Sequence, residues 1–194
     1  MRNAMLERKT RETEIRASLE VDGSGRAGVD TGCGFLDHML RAFAANAMFN
    51  LDVVCRGDVE VDYHHTTEDV GIVLGTVFSQ AMTAGGVTRY GSAFIPMDEA
   101  LVMAAVDLSG RPCLEFSLDI PSQKVGDFDT ELVEEFFNGF VRKSGVTLHI
   151  RQLSGRNSHH IIEAAFKAFG RALRAAVTVD PALGGAVPST KGVL

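Results

Sequence analysis

The sequence predicts an internally duplicated α+β fold, and three observations carry that reading. His-His-x-x-Glu occurs twice, at His64, His65 and Glu68 and again at His159, His160 and Glu163, 95 residues apart. Each copy opens a run with the apolar spacing of a long helix, and each follows a short β-branched strand. The order strand, strand, helix, strand, helix is met once before each copy's end. The expected architecture is two ββαβα half-domains, about 1–90 and 91–180, in a single domain, followed by an irregular tail, 181–194, rich in Gly, Pro and Ser.

Taken in order, residues 13–22 alternate apolar and polar with the two-residue period of a strand, and Asp22-Gly23 makes a turn. Phe35, Leu36, Met39, Leu40 and Phe43 fall at helical spacing, predicting a helix from Phe35 to about Met48. Leu51–Cys55 is a short strand ended by Arg56-Gly57-Asp58. A helix from about His65 to Met82 is stopped by Gly85-Gly86. In the second half, Ala93–Val106 and Cys113–Leu118 read as strands. Leu132–Lys143 is helical, Val146–Gln152 a strand, and His159 to about Ala176 the last helix. A shift of 97 residues lays Phe43 on Phe140, Leu51 on Leu148 and Val53 on Ile150. Identities are few, but the order of elements agrees and points to gene duplication.

Bulk properties exclude several classes of function. No apolar run approaches the roughly 20 residues that span a bilayer, and the charged N-terminus lacks a secretory core. Net charge is −6 with no basic block, so nucleic acid is not an expected partner. Three unpaired-looking cysteines, Cys33, Cys55 and Cys113, fit a reducing, cytoplasmic location and neither a disulfide framework nor a thiolate zinc site.

The six histidines are all accounted for by one pattern: four in the repeated motif, with His38 and His149 upstream of the two copies. On a helix, residues i and i+4 share a face, so His64 with Glu68, and His159 with Glu163, can each grip one ion. His65 and His160 are rotated by about 100° from their neighbours and are better placed to serve a second ion. Exchange between the copies would build two sites, His64, Glu68 and His160 at one and His159, Glu163 and His65 at the other. His38 would join the second and His149 the first. Imidazole and carboxylate without thiolate suit Mn, Fe, Co, Ni or Zn, and ligand type alone does not choose among them. The zinc-protease pattern HExxH is absent.

Arg89 lies in Gly85-Gly86-Val87-Thr88-Arg89-Tyr90-Gly91 and Arg111 in Ser109-Gly110-Arg111-Pro112, and the tail contains Ser189-Thr190-Lys191-Gly192. Such groups complete phosphate sites, but surface loops carry them routinely, and composition alone does not assign a phosphate here.

Several segments together resemble imidazoleglycerol-phosphate dehydratase. They are Gly34-Phe35-Leu36-Asp37-His38-Met39-Leu40, His64-His65-Thr66-Thr67-Glu68-Asp69-Val70-Gly71, Pro96-Met97-Asp98-Glu99-Ala100-Leu101, Asp107-Leu108-Ser109-Gly110-Arg111-Pro112, Asn157 to Lys167, and Pro188-Ser189-Thr190-Lys191-Gly192. The resemblance runs from Arg11-Glu12-Thr13 to the last residues, without a fused phosphatase domain, as in the monofunctional form. It implies a duplicated fold of the ribosomal-protein-S5-domain-2-like type and two manganese ions per site, held by His38, His64, His65, Glu68, His149, His159, His160 and Glu163. It also implies a 24-subunit homo-oligomer with interface sites. Carried over by motif, Arg89, Arg111, Ser189 and Lys191 would hold the substrate phosphate, and Glu12 would contact its hydroxyls.

The implied reaction dehydrates imidazole-glycerol phosphate to imidazole-acetol phosphate, in histidine biosynthesis. Metal-bound imidazolate would expel the adjacent hydroxyl to give a diazafulvene, and loss of the neighbouring carbon's proton would give an enol. An acid and a base are needed, with Glu12 the first candidate and Asp98 the second. Two other readings use the same ligands: a two-metal phosphoester hydrolase, and a non-catalytic protein whose metals only join subunits.

Overall fold

In the structure, a computed structural model that describes residues 2–82, 86–186 and 188–189, each half builds one four-stranded sheet and two helices. The first half comprises β1 (Asn3–Lys9), β2 (Thr13–Glu20), β3 (Ala27–Asp30), α1 (Gly34–Ala47), β4 (Asn50–Gly57) and α2 (His64–Ala81). The second comprises β5 (Tyr90–Met97), β6 (Ala100–Asp107), β7 (Cys113–Ser117), the small hairpin β8 (Lys124–Val125) and β9 (Phe128–Asp129), α3 (Leu132–Ser144), β10 (Thr147–Ser154) and α4 (Ser158–Ala176). Strand orders correspond: β1-β2-β4-β3 in one sheet, β5-β6-β10-β7 in the other. In each, the last strand pairs in parallel with its neighbour and the others are antiparallel.

The ββαβα order is present in each half, with a further short strand before the first helix. The expected long strand 93–106 is a hairpin, turned at Asp98 and Glu99. Asp98 has φ 49°, a left-handed conformation that suits the twist of a two-residue hairpin turn. β1 is an edge strand with no fully buried residue, so it lacks the strong alternation of β2, where Thr13, Ile15, Ala17 and Leu19 are buried. The helix expected to stop at Gly85-Gly86 ends at Ala81, and Gly85 lies outside the described residues. In the tail, Pro181–Leu183 forms one 3₁₀ turn.

All four helices lie between the two sheets, and they pair across the halves: α2 packs on α3, and α1 on α4. Phenylalanines from both halves fill the middle. Phe43 of α1 stacks on Phe169 of α4 with centroids 5.2 Å apart, and Phe78 of α2 meets Phe140 of α3 at 5.6 Å. The α2–α3 contact is backbone to backbone. A side chain at Gly139 would come 2.7 Å from the Glu68 carbonyl oxygen, and one at Gly75 would collide with the Phe140 carbonyl. Among the described residues no helix is long and apolar enough to cross a membrane.

The outer faces of the sheets differ. The first presents mainly charged and polar side chains, among them Glu14, Arg16, Asp52 and Arg56. The second presents Tyr90 and Phe94, which are 56% and 62% exposed, beside Leu101 and Met103 of β6.

Gly75→Ala should therefore destabilise the fold by about 1–3 kcal/mol, because a packed backbone must move. Gly34→Ala, where a methyl group meets nothing within 4 Å, should leave stability unchanged or slightly raised. Thermal melts of the two variants beside wild type check this, and equal melting temperatures for all three would refute the tight α2–α3 contact.

Candidate metal centre and cation cluster

Cross-half helix pairing brings three of the expected ligands together. His38, on α1, places Nε2 3.3 Å from Glu163 Oε2, and His159, on the first turn of α4, places its Nε2 3.1 Å from the same oxygen. Ligand atoms of all three lie within 4.8 Å of one another. Two imidazole nitrogens converging on one carboxylate oxygen make a donor set that fits a borderline divalent cation. Phe35 sets its ring edge against His159, centroids 5.3 Å apart. Glu163 is largely buried, and burial raises its pKa. Lys167, whose Nζ is 2.6 Å from Oε1, and then His38 outweigh that effect, so the net shift is downward.

The first arm is looser. His64 Nε2 is 4.0 Å from Glu68 Oε2, and the other Glu68 oxygen accepts from Arg142 of α3 at 2.5 Å. No hydrogen bond, ion pair or ring contact among the described residues joins His64, His65 or Glu68 to His159, His160 or Glu163. The expected exchange of ligands between motifs is therefore not made within one chain. His149 stands apart from both: on β10, with Leu148 and Ile150 turned inward, it is exposed on the sheet's outer face, opposite Ala105 and Glu115 in register.

The second histidine of each motif sits between two carboxylates. His65 donates from Nδ1 to Asp58 Oδ2 at 2.9 Å, and its Nε2 faces Glu12 Oε1 at 3.7 Å. His160 donates from Nδ1 to Glu99 Oε2 at 2.8 Å, and its Nε2 faces Asp98 Oδ2 at 3.6 Å. Glu12 and Asp98, chosen from sequence as proton-transfer candidates, thus occupy equivalent places, the hairpin turn joining the first two strands of each half. The hydrogen bond to Asp58 raises the His65 pKa, and that to Glu99 raises the His160 pKa. In return, His160 and the Asn157 amide bring the Glu99 carboxyl down to about 2.

The cations gather elsewhere. Arg89 is buried, with φ 72°. Its guanidinium grips Asp107 through Nε at 2.7 Å and Nη2 at 3.1 Å, and Nη1 donates to the Pro188 carbonyl at 2.8 Å. That last bond brings the segment containing Ser189 to the end of β6. Arg111 is exposed, with Nη2 3.9 Å from Asp107 Oδ2. Lys191 lies outside the described residues. Arg89 N donates to the carbonyl of Ala176, the last residue of α4. The loop carrying Gly110 meets Phe78 and Ser79 near the end of α2 around a 240 Å³ cavity. The histidine arms open those same helices at their other ends, roughly 25 Å away at 1.5 Å per residue.

Side chains that the motifs did not single out are Asp58, Glu99, Lys167, Arg142 and Asp107. Helical spacing from Glu163 would have found Lys167. Glu99, Asp107 and Lys167 lie inside quoted segments but are not selected from them. Asp58 reads as part of a turn, and Arg142 meets Glu68 only through the packing of α2 on α3.

Comparison with known proteins gives one answer. Residues 31–173 match the family model for imidazoleglycerol-phosphate dehydratase. The chain is 54% identical over its whole length to the imidazoleglycerol-phosphate dehydratase of Nitrobacter hamburgensis, 99% of which is covered. It is 52% identical to that of Prochlorococcus marinus, again over all of this chain and 96% of the relative. The crystal structure of the Staphylococcus aureus enzyme superposes with a TM-score of 0.84 at 41% identity, covering 92% of this chain and 99% of that one. The Pyrococcus furiosus structure gives 0.84 at 38%, covering 97% and 100%. The fold and the full-length similarity place the protein among the hydro-lyases. It belongs to the imidazoleglycerol-phosphate dehydratase family.

The paired carboxylate and imidazole shifts give a pH prediction for metal-free protein. The depressed Glu99 pKa stabilises the fold above its ordinary 4.5, a contribution lost as pH falls toward about 2. The raised His160 pKa stabilises below its ordinary 6.5, a contribution lost as pH rises through the folded value. The melting-temperature gap between wild type and Glu99→Gln should be widest between about pH 4.5 and 6.5. It should narrow on both sides, and a gap independent of pH would contradict the ion pair.

Proposed function

We propose that this protein catalyses the metal-dependent dehydration of imidazole-glycerol phosphate to imidazole-acetol phosphate, with two manganese ions per active site. The observation that carries it is the convergence of His38, His159 and Glu163 in a chain of this family. His65 is proposed to complete that ion's ligands, and His64, Glu68, His160 and His149 to hold the second. Bound divalent cation supplies positive charge to the substrate imidazole, favouring the form that expels a neighbouring hydroxyl.

The chain's own residues then handle protons. One group must protonate the departing hydroxyl, and one must remove hydrogen from the adjacent carbon. The resulting enol tautomerises to the ketone, and the phosphate stays attached. Glu12 is proposed for one of these transfers: it is half-exposed on a hairpin turn, with its carboxylate 3.7 Å from His65 Nε2. Asp98 is its counterpart beside His160. Arg89, Arg111, Ser189 and Lys191 are proposed to form the phosphate end of the site. Arg89 grips Asp107 and donates to the Pro188 carbonyl, which brings the residue before Ser189 to the same end of β6.

The same geometry supports a homo-oligomer. Histidine arms and cation cluster lie at opposite ends of α2 and α4, too far apart to meet one small substrate within a chain. His149 points away from both arms, and the apolar outer face of the second sheet is of the kind that partners cover. These features support interface active sites, and the family resemblance implies a shell of 24 subunits for them. We also infer that residues 1–90 and 91–180 are repeats within one dehydratase domain and that the 181–194 tail serves the site; the matching sheet orders support the repeats. A cytoplasmic location fits a biosynthetic enzyme with free thiols.

The decisive assay is turnover by chelator-stripped protein, with and without Mn²⁺, scoring imidazole-acetol phosphate and inorganic phosphate separately. Product only with manganese and no free phosphate is expected. Free phosphate without dehydration would instead indicate a two-metal hydrolase, and no turnover after verified metal rebinding would indicate a structural metal. Arg111→Ala should raise KM by roughly tenfold to a hundredfold, as expected for losing one charge-assisted hydrogen bond, with kcat changed much less. Unchanged steady-state kinetics would remove Arg111 from the phosphate site.

A further inference from the structure

We propose that Asp58 and Glu99 are positioning residues that fix His65 and His160 in the tautomer protonated at Nδ1, so that each presents Nε2 to a divalent cation. The inference deepens the metal-site reading above and rests on it.

The geometry is the same twice. His65 Nδ1 lies 2.9 Å from Asp58 Oδ2, and His160 Nδ1 lies 2.8 Å from Glu99 Oε2. An ionised carboxylate only accepts hydrogen bonds, so the ring nitrogen facing it must carry the hydrogen. In a neutral imidazole the lone pair is then on Nε2. Among the described residues those Nε2 atoms make no hydrogen bond. Glu12 and Asp98, their anionic neighbours, stand 3.7 Å and 3.6 Å away, beyond hydrogen-bond length. The first histidine of each motif is handled differently, its Nε2 directed at the Glu four residues on. Each arm thus divides its two imidazoles between a chelating pair and an oriented single ligand.

Duplication does not explain the repetition. The 97-residue shift that lays β4 on β10 puts Asp58 on Gly155, which has no side chain to offer, while Glu99 lies in the β5–β6 turn, whose counterpart in the first half is the β1–β2 turn at Thr10 to Glu12. Asp58 lies in the segment between β4 and α2, whereas Glu99 comes from the β5–β6 hairpin. The two carboxylates reach equivalent histidines from non-equivalent places. A matched function accounts for that, and inheritance of one ancestral contact does not. Glu99 is itself held, accepting from the Asn157 and Arg156 amides at 2.8 and 3.2 Å through its other oxygen. The Asp58 amide donates to the Glu12 carbonyl at 3.1 Å, which ties the same residue to the turn carrying Glu12.

The test uses Asp58→Asn and Glu99→Gln in the full chain. Each keeps an acceptor oxygen and nearly the same shape, but its amide can also donate to Nδ1 and so select the wrong tautomer. Mn²⁺ alone is titrated into metal-free protein against a chelating indicator, with bound metal counted by elemental analysis and Tm taken on the metal-free forms at pH 8. Each variant should weaken one class of site by about 10- to 100-fold, the usual effect of losing an outer-shell partner, and leave the other class and the Tm near wild type. The double variant should weaken both classes. Wild-type binding with unchanged variants would overturn this inference alone. Weakening that tracks a matching fall in metal-free Tm would also overturn it, since the carboxylates would then be merely structural. Wild-type protein that binds no Mn²⁺ would sink the metal-site reading itself.

Discussion

The pairing of helices across the two halves, α1 on α4 and α2 on α3, is the constraint on which the rest of the structure depends. Neither half places His38, His159 and Glu163 together unaided, because His38 belongs to α1 and the other two to α4. The same holds on the other side, where Glu68 of α2 meets Arg142 of α3. Glycine at 75 and 139 lets the α2 and α3 backbones touch directly, so little slack separates those helices. Packing in protein interiors transmits small displacements rather than absorbing them. The position of each motif is thus set by what lies beneath its helix. The sheets act as covers, closing the apolar faces and providing the hairpin turns that set Glu12 beside His65 and Asp98 and Glu99 beside His160.

Much of this was legible in sequence because the relevant signals are local. The helices show apolar residues at 3.6-residue spacing, and the histidine–glutamate arms are defined by i, i+4 geometry, which any helix enforces. The missed strands are those where burial gives a weak pattern. β1 is an edge strand, and β3 has a single buried residue, Val29, in four. The β5–β6 hairpin was hidden because its turn has only two residues, neither of them Gly, Pro or Asn, and the apolar runs on both sides merge.

Side-chain partners were legible only where chain neighbours supplied them. His64 with Glu68 and His159 with Glu163 follow from spacing. Asp58 with His65 and Glu99 with His160 depend on where a turn or a hairpin comes to rest in three dimensions. Arg89 shows the same limit: sequence marks it as a loop arginine, but not its bonds to Asp107 and to the Pro188 carbonyl, which depend on the fold. Its glycine-like φ of 72° has no sequence signature.

Both histidine pairs begin helices, His64 and His65 in α2 and His159 and His160 in α4. The aligned peptide dipoles put roughly half a positive charge at such an end, which favours anions and opposes a metal ion. Asp58, Asp62 and Glu12 around one pair, and Asp98 and Glu99 around the other, reverse that sign. The cation capture proposed at these arms would therefore be a contest of local fields as well as a matter of coordination. Mobile ions damp such fields over about 8 Å at physiological ionic strength, so the exposed part of this acidic surround belongs to the solution as much as to the protein.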